Sequence, residues 1–120
     1  MSDIVFYDRN GRAAAYSQDG EHIYLYSGRP VAYLRDDSVF AYSGRHLGWF
    51  QDGWIRDHYG RSVFFTNEAS GGPTKPTRQA RPVKSLKNLR PLKSVRHVKP
   101  VRATKQRVWS EQAPSTFFAG

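Results

Sequence analysis

Ser43-Gly44-Arg45-His46-Leu47-Gly48-Trp49-Phe50-Gln51-Asp52-Gly53-Trp54-Ile55-Arg56-Asp57 carries two kinds of turn residue, eight or nine positions apart, with short apolar and aromatic segments between them. The same frame recurs along the first 67 residues. Gly11-Arg12, Gly28-Arg29, Gly44-Arg45 and Gly60-Arg61 stand 17, 16 and 16 residues apart. Five residues after each glycine comes Tyr16, Tyr33, Trp49 or Phe65; three after comes Ala14, Val31, Leu47 or Val63; five before comes Phe6, Ile23, Val39 or Ile55. A repeat this regular defines the structural unit before any propensity is consulted.

Each unit reads as a β-hairpin. Asn10-Gly11, Ser27-Gly28, Ser43-Gly44 and Tyr59-Gly60 supply the positive-φ residue of a tight turn, and the flanks are rich in Tyr, Phe, Val and Ile. Asp19-Gly20, Asp36-Asp37 and Asp52-Gly53 supply turns between units. The expected fold is all-β: four hairpins, eight short antiparallel strands, closed around a pseudo-fourfold axis so that no edge stays open. Units of 16 residues are too short for propeller blades, which need about 40. Strand parity puts positions +1, +3 and +5 from each glycine on one face, so the aliphatic and aromatic rings are expected to fill the middle. Position +4 is Ala15, Ala32, Gly48 or Phe64, mostly small, as though something packs close there.

The run Ile4 to Thr66, with its repeated Ser-Gly-Arg and the stretch from His46 to Asp57, resembles the four-fold beta-flower domain. The resemblance implies a shallow, pseudo-fourfold barrel of hairpins around an apolar centre. It implies no particular activity.

Charge divides the chain differently. Residues 1–70 hold seven Lys/Arg against nine Asp/Glu, a net of −2; residues 71–120 hold twelve against Glu111, a net of +11, which together make the chain's +9. The expected organisation is a hairpin domain at 1–67, a linker at 68–74, a basic extended tail at 75–107 and an aromatic anchor segment at 108–120. In the tail a basic residue falls at every third position: Lys75, Arg78, Arg81, Lys84, Lys87, Arg90, Lys93, Arg96, Lys99, Arg102 and Lys105, with Arg107 just beyond. The residue before each is mostly apolar, from Ala80 and Val83 to Val98 and Val101. Period three suits neither helix nor strand but an extended threefold chain, with charges on one ridge and apolar residues on another. Prolines at 73, 76, 82, 91 and 100 exclude helix through most of it. The apolar row predicts that this arm docks, with its basic side facing out, and Trp109 reads as an anchor inserted in its own domain.

These features nominate a non-enzymatic binding module whose basic arm meets an anionic partner, nucleic acid first. The rival is a peripheral membrane module, the arm on anionic lipid and Trp109, Phe117 and Phe118 in the interface; an acidic protein is a further partner class. Arg12, Arg29, Arg45 and Arg61 hold one equivalent position and would form a ring at the barrel rim, either receiving an anion or covering the core edge while pairing with Asp8, Asp57 or turn carbonyls. Tyr7, Tyr24, Phe40, Tyr26 and Tyr42 face away from the core positions, open either to a partner or to the chain's own tail. A small hydrolase using Asp57 and His58 ranks last, since no nucleophile or paired carboxylate completes a set. Cysteine is absent and His22, His46, His58 and His97 show no metal spacing, so no metal or cofactor is expected. With no secretory leader and no apolar stretch near the roughly 20 residues of a membrane span, a cytoplasmic location is expected.

Overall fold

The computed structural model describes residues 3–119. Eight strands, β1 (Ile4–Tyr7), β2 (Ala13–Ser17), β3 (His22–Leu25), β4 (Pro30–Arg35), β5 (Ser38–Phe40), β6 (His46–Gln51), β7 (Trp54–Arg56) and β8 (Ser62–Phe65), pair antiparallel in chain order, and Tyr7 opposite Phe65 closes them into a barrel. The first hairpin pairs like the others, with Ile4 to Tyr7 against Ser17 to Ala13.

All four hairpin turns have one construction. Leu25 N–H donates to Arg29 C=O and Gly28 N–H to Leu25 C=O, with counterparts at Asp8–Arg12, Ala41–Arg45 and Asp57–Arg61. The glycine sits in the left-handed region, φ 94° at Gly28 and 96° at Gly44, as a hairpin loop ending in an αL position requires.

The middle of the barrel holds the +3 aliphatics that parity predicts but not the +5 aromatics. In every hairpin the register slips by one: Phe6 faces Ala15 and Tyr7 faces Ala13, Ile23 faces Ala32 and Tyr24 faces Pro30, and so on for Leu47 and Val63. The unpaired residue is always the one at +3, a β-bulge, and a bulge re-aims the side chains beyond it. Positions +3 and +4 therefore both turn inward, and the aromatics at +5 turn out. The core is the −5 ring (Phe6, Ile23, Val39, Ile55) with Ala15, Ala32, Phe64, Val31, Leu47 and Val63. The small +4 residues do make room: Phe117 and Phe118, on and just after a short helix α1 (Pro114–Phe117), pack against Phe64 at ring separations of 5.8 and 5.3 Å. A Cβ on Gly48 would meet Phe117 at 3.3 Å and the Arg56 carbonyl oxygen at 2.0 Å.

The tail, without helix or strand from 74 to 106, goes once around the outside of this barrel as a belt. Gln79, Asn88, His97 and Gln106, nine residues apart, donate their backbone N–H to the carbonyls of Gly11, Gly28, Gly44 and Gly60 at 2.8 to 3.0 Å. Ser85 and Ser94 donate likewise to Tyr26 and Tyr42. Nine residues at about 3.1 Å each span about 28 Å, and four such arcs make about 110 Å, which matches the perimeter of a body 36 by 35 Å across. The prolines that look irregular fit this period, since Pro73, Pro82, Pro91 and Pro100 are nine apart. Each nonapeptide serves one hairpin.

Candidate functional site

The belt docks with the face opposite to that expected. Its basic side chains lie on the outward aromatics of the barrel, and its apolar side chains point to solvent. Lys84, Lys93 and Arg102, nine apart, stand over Tyr16, Tyr33 and Trp49 at 4.8, 4.6 and 5.9 Å from the ring centroids. Arg78, Lys87 and Arg96 stand over Tyr7, Tyr24 and Phe40 at 5.9, 5.0 and 5.8 Å. The tyrosines left open to a partner or the tail are buried beneath the belt. A π face attracts a cation, while the long stem lies along the ring and leaves the head near water. Val83, Leu86, Leu89, Leu92, Val95, Val98 and Val101 are at least 90% exposed. An apolar residue docked on the barrel would have met tyrosine rings already packed in pairs, such as Tyr16 with Tyr24 at 6.1 Å.

Acidic side chains at the other end of the barrel complete the docking. Lys84 pairs with Asp3, Arg102 with Asp37, Lys93 with Glu21 at 2.6 Å and Lys105 with Asp52 at 2.7 Å. Arg78 donates to Asn67, Lys87 to Gln18 and Lys75 to the Ala69 carbonyl. Arg81, Lys99 and Arg107 make no hydrogen bond or ion pair among the described residues. The hairpin glycines are needed here too: a Cβ on Gly28 or Gly44 would lie 2.0 Å from the Leu86 or Val95 carbonyl oxygen.

The rim arginines do not cover the core. Arg12, Arg29 and Arg45 are exposed and Arg61 is half-buried, 5.8 Å over Tyr59. The bulge sends the strand's inner face past them, and the carboxylates meant to hold them are engaged elsewhere. Asp8 accepts the N–H groups of Asn10 and Arg12, and Asp57 those of Tyr59 and Arg61. The second Asp57 oxygen accepts the Ser110 hydroxyl at 2.5 Å. Trp109, half-buried, bridges to Ser62 and packs edge-on against Trp54 at 5.6 Å and Phe65 at 6.1 Å.

Pseudo-symmetry breaks at the seam between the third and fourth hairpins. The other units offer Tyr7, Tyr24 or Phe40 at −4; the fourth offers Arg56. The middle units offer Tyr26 and Tyr42 at −2; the fourth offers His58. His58 Nε2 lies 3.0 Å from His46 Nδ1, and His46 Nε2 lies 3.2 Å from the fully buried Ser38 hydroxyl. Burial first, then the neighbouring His58 and Lys99, hold the His46 pKa down to about 4; burial lowers His58 as well. A cavity of about 310 Å³ lined by Arg45, His46, His58, Tyr59 and Phe117 opens on this pair. The seam was legible as the place where the repeat loses its aromatic at −4. Among the described residues no group of three or more His, Asp or Glu is placed to hold a metal, and no helix is long and apolar enough to cross a membrane.

No curated protein and no solved structure matches the chain. The family model described as 4-fold beta flower protein matches residues 4–118, barrel, belt and plug together. The chain therefore belongs to the 4-fold beta flower family.

Proposed function

We propose that this protein is a non-enzymatic interaction module that engages an anionic partner, nucleic acid first, through its belt and turn-end cations. One observation carries the reading: the charge surplus survives docking. Of the twelve basic residues after Ser70, Lys84, Lys93, Arg102 and Lys105 alone meet a carboxylate among the described residues, and the chain's formal charge is +9. The others ring the barrel on a chain too regular to collapse onto one spot, and Arg9, Arg12, Arg29 and Arg45 are exposed at the turn end. A charged perimeter of this kind tracks a phosphate backbone without reading bases.

Binding of duplex DNA and single-stranded RNA to the whole chain, measured across salt, tests it. Affinity is expected to fall steeply with salt, and replacing Arg81, Lys99 and Arg107 by Gln is expected to reduce the slope by about one for each phosphate no longer neutralised. No binding at 50 mM salt, roughly the low end of the useful range, contradicts the reading. Truncation at Gly71 is a poor test because it strips the cover from the tyrosine face.

A second reading, an anionic membrane surface, is favoured by the apolar row. Val83 to Val101 run through the two middle arcs of the belt and into the fourth, whereas Thr77, Ala80 and Thr104 take the same positions at either end, so one side of the perimeter is apolar and flanked by cations. Phe117 and Phe118 are committed to the barrel centre, so Val and Leu would be the inserting residues. Vesicle binding that needs anionic lipid and is lost on Leu89→Ser with Leu92→Ser would select it.

A further inference from the structure

At three seams the belt lays a cation on a ring: Arg78 on Tyr7, Lys87 on Tyr24, Arg96 on Phe40. Nine residues further the same register brings Lys105 to position 56, and there the ring is replaced by another cation. Arg56 is 2% exposed, and its Nε, Nη1 and Nη2 have no hydrogen-bond partner among the described residues. Across the β7–β8 ladder its register partner is Ser62, fully buried, whose hydroxyl also has none among the described residues. The carboxylate that acts on Arg56 from a distance, Asp52, makes its ion pair with Lys105, Oδ2 lying 2.7 Å from Lys105 Nζ. His58, two residues on along the same face, and Arg102 on Trp49 bring no negative charge. A buried guanidinium whose donors are all unmet is costly, and its planar fork is built to meet two oxygens at once.

We propose that this seam is an oxyanion site, in which the Arg56 guanidinium and the Ser62 hydroxyl donate to a phosphate- or carboxylate-class anion that also meets Lys105 of the belt. Access is through the belt's fourth arc. Each middle arc is fixed by two backbone hydrogen bonds to the barrel, from Ser85 and Asn88 and from Ser94 and His97; in the fourth arc Gln106 donates to Gly60, and Ala103 stands where the serines donate. This arc has one backbone bond fewer than either middle arc, although Val108 and Ser110 just beyond it are tied to Ser62, and an anion between Arg56 and Lys105 would hold it down. The site stands apart from the polyanion reading, which rests on exposed cations.

Calorimetric titration of the whole chain with inorganic phosphate at low salt tests it, alongside the ¹⁵N shift of Arg56 Nε. Saturable 1:1 binding that moves the Arg56 signal is expected, with Arg56→Tyr, which restores the ring of the other units, weaker by about tenfold or more and Ser62→Ala weaker by several-fold. Exchanging Arg12, Arg29 and Arg45 for Gln should leave phosphate affinity unchanged while weakening nucleic acid binding, which keeps the two readings distinguishable. A short oligonucleotide that displaces phosphate assigns the oxyanion to a polynucleotide; one that does not leaves it a free anion. Absence of saturable binding, or an Arg56→Tyr chain that binds phosphate like the original, overturns the proposal. Should Arg56→Tyr fail to fold, an Arg56 Nε shift unmoved by phosphate in the unaltered chain overturns it equally.

Discussion

Barrel and belt both repeat four times, and they hold their shape by opposite means. The barrel is a closed ladder around an apolar centre, so its geometry follows from its own pairing. The belt has no helix or strand from 74 to 106, and its described backbone hydrogen bonds run to barrel carbonyls. Its shape is that of the surface it lies on. A 16-residue unit and a 9-residue unit meet at one glycine per hairpin, so the two repeats are in step only when the barrel is closed. The barrel should tolerate damage to the belt far better than the reverse.

The largest effect is expected at the centre. Phe117→Ala leaves a cavity against Phe64 and should cost about 3 to 5 kcal/mol in urea unfolding; a cost below about 1 kcal/mol would mean that the plug is peripheral. Protonation comes next. Because the folded pKa of His46 lies at about 4, below the ordinary value near 6.5, the unfolded chain binds the proton more readily. Stability should be full above pH 6.5 and decline as pH falls toward 4, by up to about 3 kcal/mol. His46→Phe should flatten that decline, read as Tm against pH.

Smaller effects separate belt from barrel. Gly44→Ala combines a φ of 96° with a 2.0 Å approach to the Val95 carbonyl, and should cost about 1 to 3 kcal/mol while raising exchange at Ser94 and His97 more than in β6. If β6 loosens equally, belt and barrel are one cooperative unit. The smallest effect belongs to the apolar row: Leu89→Ser with Leu92→Ser should change stability by less than about 0.5 kcal/mol, since both side chains are in solvent. A loss of several kcal/mol would return the apolar row to the barrel face.

Four hairpins, their turns and their closure could be read from glycine spacing because a positive φ leaves a residue-type signature. The faces could not be read by alternation, because a bulge has no residue type of its own. Its trace is the pair of adjacent apolar residues at +3 and +4, Val31-Ala32, Leu47-Gly48 and Val63-Phe64, which breaks alternation in each unit. That the tail docks was legible in its threefold row, and its ninefold proline spacing was there to be counted. Its orientation was hidden because pairing apolar with apolar ignores that the outward barrel surface is a set of tyrosine faces, which take cations as readily as methyls. The oxyanion seam needed both: Arg56 looks ordinary until three rings stand at the equivalent positions.

Residue-resolved amide exchange of the intact chain tests the central claim, that the tail is a register-locked belt, most directly. Slow exchange is predicted at Gln79, Ser85, Asn88, Ser94, His97 and Gln106, which donate to the barrel, and fast exchange at Leu86, Leu89, Val95 and Val98 between them. Uniformly fast exchange from Lys75 to Arg107 would contradict it.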